Sequence, residues 1–396
     1  MTRFLFVVPP LVGHVNPTVS VALELVARGH EVAWASEPSV VRPLLPDSAM
    51  FFEAPPRLPE SMEDALRHRG EGVRGAAGLK FLWEEALLPL ALAMQGPLSD
   101  AVDTFAPDVI VADQQAVAGA ITARQRGLPW ATSATTSAEF SRPFEAIPKI
   151  GEWVAESLVD VQLRFGVDEA DARKGDLRFS DHLVLAFTAA ALVGDVDTFP
   201  DHYEFVGPST SARVETTAFP WEWLDPDRAL VLVSLGTVNQ SVGGRFFAAA
   251  AEALADLAVD GTRVQGIIVA PPELVGTVPD NVVVQPYVPQ LALLPHVQAV
   301  VSHGGHNTTC ETLAHGIPLV IAPIRDDQPI VAQQVVAAGA GVRVKFGRVS
   351  AAGLATALTQ VLNDPGFRDA AGVVQASFAA AGGAPRAADH LEKLVS

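Results

Sequence analysis

Two places in this 396-residue chain set chemically able side chains directly behind short apolar runs. The first is Gly13-His14-Val15-Asn16-Pro17, after the run from Arg3 to Pro9. An imidazole titrates near neutrality, so His14 has the right chemistry for a general base that takes the proton of an attacking hydroxyl. Such a base needs a second group to fix its tautomer and to stabilise the imidazolium. Asp113 is the candidate, because it ends the apolar run Val109 to Ala112 much as His14 follows the first one. The plainer alternative is a turn histidine bonded to backbone.

The second place is His303-Gly304-Gly305-His306-Asn307-Thr308-Thr309, behind the β-branched run Ala299 to Val301. A glycine pair lets backbone approach a ligand closely, and a helix starting near Asn307 would aim its first amides and the positive end of its dipole outward. An anion such as a phosphate suits that position. Asn307, Thr308 and Thr309 can cap the helix or donate to phosphate oxygens, and Glu311, one turn on, is within reach of a sugar hydroxyl. An ordinary strand, turn and capped helix would have the same local composition.

The longer stretch Tyr287 to Gln328 resembles the nucleotide-sugar signature of family 1 glycosyltransferases, which include plant secondary-product enzymes and bacterial antibiotic and macrolide transferases. The matching residues are Tyr287-Val288-Pro289-Gln290, His-Gly-Gly-x-Asn-Thr at His303 to Thr308, Glu311, Gly316-Ile317-Pro318 and Asp327-Gln328. The resemblance implies a diphosphate held by His303, Thr308 and Thr237, with Gly305 and Asn307 also in the donor site. It implies a base stacked on Tyr287, in place of the plant tryptophan, with its edge against the Val288 backbone. Gln290 and Glu311 fall at ribose-side positions, and Asp327 and Gln328 at positions that grip the transferred sugar. Gly-His-x-Asn-Pro matches the family motif carrying the catalytic histidine, with Asp113 as its orienting acid; Asn16 belongs to the same motif.

These residues need elements to position them. Arg3–Pro9 reads as a strand, Pro17 as the first turn of a helix ending at Arg28-Gly29-His30, and Glu31–Ala35 as the next strand: the opening of a doubly wound α/β sheet. Val109–Ala112, Leu128–Thr132 and Leu183–Ala186 continue it. Irregular inserts are expected from about Phe51 to Pro97 and from Thr135 to Arg173, and their aromatics (Trp83, Phe140, Phe144, Trp153) either line a site for an apolar acceptor or belong equally well to the core. A second parallel sheet is expected from Leu230–Leu235, Val264–Ala270, Val282–Pro286, Ala299–Ser302, Leu319–Ala322 and Gly341–Val344. The implied organisation is the GT-B fold, two Rossmann-like domains facing a central cleft: residues 1–207, a linker 208–227, residues 228–383, and a helix 384–396 returning to the first domain.

Composition narrows the partners. A net charge of −18 leaves no extended basic surface for nucleic acid or anionic membrane. Mean hydropathy is +0.27, yet no apolar run reaches the ~18 residues of a membrane span. The prolines and Gly13 interrupt the apolar N-terminus where a signal peptide would continue. The sole cysteine, Cys310, fits a reducing cytoplasm and reads as a core thiol. The Asp-x-Asp patterns at Asp195–Asp197 and Asp225–Asp227 lie in a turn and in the linker, and no metal is expected.

The expected activity is inverting, metal-independent transfer of a hexosyl group, with UDP-glucose as co-substrate and no further cofactor, to a hydroxyl of an apolar phenolic, polyketide or macrolide molecule, by a monomer or homodimer. The rivals are a dTDP-deoxysugar transferase, a nucleotide-sugar 2-epimerase and a non-catalytic nucleotide-binding protein. An NAD dehydrogenase is disfavoured because the first turn lacks Gly-x-Gly-x-x-Gly.

Overall fold

A computed structural model describes residues 1–58, 76–210, 217–236 and 242–395. The chain divides into two compact units. The first is Met1–Thr188 with the segment beginning at Asp195 and the tail from Ala381; the second is Ala189–Gly194 with the chain leading to Ala380.

The first unit is built on a seven-stranded parallel sheet. Its strands are β1 (Arg3–Val7), β2 (Glu31–Ser36), β3 (Met50–Glu53), β4 (Val109–Asp113), β5 (Trp130–Ala134), β6 (Val184–Ala186) and β7 (Tyr203–Phe205). The spatial order is β3-β2-β1-β4-β5-β6-β7. Chain direction across the sheet reverses between β1 and β4, and such switch points are where doubly wound sheets bind ligands.

The strands read as continuous apolar runs because both faces are covered. Leu5, Val7, Ile110 and Ala112 enter one core cluster. Phe4, Phe6, Val109, Val111 and Ala131 enter the other, together with the helix Val12–Ala27. This alternation fixes the site: Asp113 follows Val111 on the face covered by that helix, and Thr135 follows Ala131 and Ser133 on the same face. On the opposite face Gly119, in the helix Ala118–Arg126, seats against β1 and β4. A Cβ there would lie 2.8 Å from the Cβ of Ala112 and 3.0 Å from that of Val7.

The C-terminal helix Gly383–Lys393 lays Ala384, Ala387, Ala388 and Leu391 into the cluster of Val12–Ala27. Arg28 fixes its rim, bonding Asp389 at 2.7 Å and Glu392 at 2.8 Å. The apolar stripe supplies most of the docking energy, since exposed ion pairs contribute little.

The second unit carries a six-stranded parallel sheet. Its members are β8 (Leu230–Ser234), β11 (Gln265–Val269), β12 (Val282–Gln285), β13 (Ala299–Ser302), β14 (Leu319–Ile321) and β15 (Gly341–Arg343); β9 (Ala258–Val259) and β10 (Thr262–Arg263) form a small antiparallel hairpin. The order β12-β11-β8-β13-β14-β15 reverses between β8 and β13. Among the described residues no helix is long and apolar enough to cross a membrane.

Several expectations are corrected. The first helix starts at Val12, not Pro17, so Gly13 and His14 lie in its first turn and Pro17 is inside it. The interval from Phe51 to Pro97 is only partly irregular where described: β3 ends at Glu53 and residues 54–58 lack regular structure, but the chain is helical from Ala76 through Phe105, with π-type winding at Leu82–Leu87. The Thr135–Arg173 insert contains the 17-residue helix Pro148–Arg164. β5 lies two residues later than Leu128–Thr132, because the αL cap at Gly127 and the bond from Leu128 N to Ala123 O use Leu128 to close the preceding helix.

The insert aromatics are packing groups. Trp83 is core, Trp153 and Phe144 pack against the same cluster, and Phe140 is buried among Phe199, Tyr203 and Phe205. They are therefore no guide to the acceptor. Ala189–Gly194, inside the expected first domain, groups with the second unit, where Ala191 N donates to Ser377 Oγ at 3.5 Å.

Candidate active site

The first switch point assembles three side chains. Leu11 is the extended N-cap of Val12–Ala27, and the His14 amide bonds Leu11 O at 2.9 Å. The imidazole is thereby turned toward the end of β4. His14 Nδ1 lies 3.0 Å from Asp113 Oδ1 and 2.9 Å from Oδ2. The Asp113 side chain is fully buried while that of His14 keeps 15% exposure.

Asp113 Oδ1 also accepts from the Gln115 amide at 2.8 Å, and Oδ2 from the Thr135 hydroxyl at 3.0 Å. A buried carboxylate that accepts from three groups is held in one pose. A carboxylate cannot donate, so the proton of neutral His14 sits on Nδ1 and the lone pair on Nε2. The arrangement is that of an oriented base. Asn16, half-buried in the same helix, is hydrogen-bonded to neither His14 nor Asp113.

Thr135 is a member of the site that sequence reasoning misses. Its hydroxyl is 2.7 Å from His14 Nδ1 as well as 3.0 Å from Asp113. The available signal is its place just beyond β5, on the face that the pairing of Asp113 with Ser133 shares.

At the second switch point, His303 follows β13 and is buried. Its ring fills the space over two glycines: a Cβ on Gly305 would lie 2.5 Å from Nε2, and one on Gly236, in the turn after β8, 2.8 Å from Cε1. Gly236 also has φ +68° and Gly304 φ +86°, conformations that favour glycine. Burial lowers the His303 pKa to about 4, with the Ser234 backbone acting the other way and the Arg325 charge adding to the fall. The ring is neutral at pH 7, and its Nδ1 is buried with no hydrogen-bond partner. Thr237, expected beside it, lies outside the described residues.

The helix here is His306–Ala314, one residue earlier than expected, with Gly305 as an extended N-cap that offers no side-chain bond. None of Asn307, Thr308 and Thr309, for which capping is one of two expected roles, is the N-cap residue. These residues are one to three positions inside the helix, and the Thr309 amide already bonds Gly305 O at 3.0 Å. The N-cap glycine itself brings no side chain to the opening amides. Asn307 and Thr308 are half-buried in that first turn.

Beyond it, Gln290 Nε2 donates to Glu311 Oε2 at 2.5 Å, joining the two expected ribose-side residues. Tyr287 stands 59% exposed, an open ring face. Val288, beside it, packs into the core under β8 and β11. Gln328 is buried, and its Oε1 accepts from the Ile324 and Arg325 amides at 2.9 and 3.1 Å, pinning the loop after β14. Asp327 sits at the start of Gln328–Ala337 without capping it. Cys310 is buried 3.5 Å from His306 Nε2, and burial pushes its thiol pKa up, as befits a core group. In the Asp-x-Asp patterns the leading carboxylates accept from the Asp197 and Asp227 amides at 3.2 and 3.0 Å, so both act as turn caps.

A family model described as UDP-glucoronosyl and UDP-glucosyl transferase matches residues 203–376. The chain is 30% identical to 4'-demethylrebeccamycin synthase of Lentzea aerocolonigenes, with 99% of each chain covered. It is 29% identical to demethyllactenocin mycarosyltransferase of Streptomyces fradiae, covering 100% of this chain and 87% of that one. The solved structure of the glycotransferase of kitacinnamycin matches with a TM-score of 0.79 at 24% identity, over 100% of this chain and 99% of that one. The protein is thus a glycosyltransferase of GT-B fold with two Rossmann-like units. It belongs to the UDP-glycosyltransferase family.

Proposed function

We propose that the protein transfers a hexosyl group from a nucleoside-diphosphate sugar, with UDP-glucose as donor, to a hydroxyl of a small natural product, with inversion at the anomeric carbon. The observation that carries this is the bond of His14 Nδ1 to the buried Asp113 carboxylate, at 2.9 Å to Oδ2, because it leaves Nε2 as a free base. Nε2 takes the proton of the acceptor hydroxyl as its oxygen attacks the anomeric carbon. The bond from that carbon to the diphosphate breaks on the opposite face, and Asp113 stabilises the imidazolium.

The leaving diphosphate would be met by the opening turn of His306–Ala314, by the hydroxyl of Thr308 and by the neutral His303 ring. With those donors in place, a divalent cation is not required. Tyr287 would stack on the base, and the Gln290–Glu311 pair would meet the ribose. Because Gln328 Oε1 holds the loop, its contribution to a sugar hydroxyl would come from its NH₂, with the Asp327 carboxylate accepting from a second hydroxyl.

The similarity to a mycarosyltransferase favours a second reading, in which the donor carries a deoxysugar. Turnover of UDP-glucose against dTDP-sugars, with phenolic and macrolide acceptors followed by mass spectrometry, separates the two. Donor consumption without acceptor would instead indicate an epimerase, and binding without any product an accessory protein. If His14→Ala retained near-full transfer, the base assignment would fail.

A further inference from the structure

We infer that Thr135 is a positioning residue of the base: its single hydroxyl bridges His14 Nδ1 and Asp113 Oδ2, so that the imidazole proton is held on Nδ1 and the lone pair on Nε2. The inference rests on His14 being the base, and it adds a third member to a pair that the sequence presented as two.

The geometry assigns the proton directions. Thr135 Oγ1 lies 3.0 Å from Asp113 Oδ2 and 2.7 Å from His14 Nδ1, and it has one proton to give. The carboxylate is acceptor-only, so that proton goes to Asp113. The hydroxyl oxygen is then an acceptor toward Nδ1, which already faces both carboxylate oxygens at 3.0 and 2.9 Å. Three oxygens surround Nδ1. The tautomer with a lone pair on Nδ1 would set it against all of them, and a hydroxyl turned round to serve it would abandon the carboxylate.

The hydroxyl is built in. Thr135 is buried, and it lies two residues beyond Ser133, the register partner of Asp113 in β5, so the parallel pairing of β4 and β5 aims it at the carboxylate. The carboxylate is braced from both sides: the Gln115 amide holds Oδ1 at 2.8 Å and Thr135 holds Oδ2. A β-branched residue with few χ1 rotamers keeps the hydroxyl there better than serine would.

The test compares Thr135→Val, which keeps the shape and removes the hydroxyl, with Thr135→Ser, which keeps it. Thr135→Val is expected to lower kcat by roughly 10- to 100-fold with KM for donor and acceptor little changed, and Thr135→Ser to recover to within about threefold of wild type. The ¹⁵N spectrum of the imidazoles should keep the His14 proton on Nδ1 in both proteins, since Asp113 remains as acceptor, but shift and broaden the Nδ1 resonance in Thr135→Val, a readout independent of turnover.

An unchanged kcat, a rise in KM that accounts for the whole loss, or an unmoved Nδ1 resonance would each overturn the inference. His14→Ala, measured alongside, keeps the two claims apart. If it abolishes transfer while Thr135→Val matches wild type, only the role of Thr135 is lost. If it retains transfer, the base assignment is lost and the Nδ1 resonance alone decides the inference.

Discussion

The two units use the same device, a parallel sheet whose order reverses beside its first strand, and treat the imidazole set there in opposite ways. At the β1/β4 switch point the His14 ring is braced: Asp113 accepts from His14, Thr135 and the Gln115 amide, although Gln114 and Ser133 beside it keep buried polar atoms without partners. At the β8/β13 switch point the imidazole is left open, with His303 Nδ1 buried and without a partner. A group that must act on a proton in a fixed direction is braced by its neighbours, whereas one placed to meet a charged ligand keeps a polar atom unassigned.

The sharpest way to break this contrast is to remove the braced base. His14→Ala is expected to cut kcat by roughly 10³-fold with little change in donor affinity, and Asp113→Asn to fall within about tenfold of it, as steady-state kinetics with titrated donor would register. A donor Kd that collapsed in step would mean that the braced site also binds.

The open site should reveal itself through pH. The His303 pKa falls from 6.5 unfolded to about 4 folded, so between those values the unfolded chain holds the extra proton. Stability is therefore greatest above pH 6.5, is lost as pH drops toward 4, and levels off below. The whole step is on the order of 3 kcal/mol. Urea unfolding of wild type and His303→Gln across that window measures it, and equal slopes for the two would reject it.

Gly305→Ala places a Cβ 2.5 Å from the His303 ring. It should weaken donor binding by about 10-fold or more while leaving the His14 tautomer untouched, checked by calorimetry with UDP; the required displacement of a packed ring costs about 1–3 kcal/mol. Gly119→Ala tests the scaffold beneath the braced site. With Ala112 and Val7 at 2.8 and 3.0 Å from the new Cβ, a similar loss should appear in Tm, before any change in KM. The smallest effect is expected for Tyr287→Ala. Losing a stacked ring on an exposed side chain should raise the donor Kd by about 3- to 10-fold.

Much of the architecture was legible because buried parallel strands are continuous apolar runs, and those of β1, β4, β8 and β13 end in residues unlike them: Gly13-His14, Asp113, Gly236 and His303. The helices beyond residue 76 and at Pro148–Arg164 were not legible, since prolines and mixed composition hide a periodicity that packing enforces. The aromatics of the inserts left acceptor lining and core undecided for a related reason: ring-on-ring burial of Phe140 with Phe199 and Phe205 depends on residues far apart in the chain.

The chain by itself determined the residue types at the ends of the strands, and hence an imidazole, a carboxylate and a glycine-rich helix start. These are local consequences of composition and period. Only the tertiary structure decided which of them touch. The alternation along β4 and β5 sends Asp113, Ser133 and Thr135 to the face covered by Val12–Ala27, and the start of that helix at Val12 swings His14 onto the carboxylate. Side-chain direction follows from register and from where a helix begins, and both are settled by packing between segments far apart in sequence.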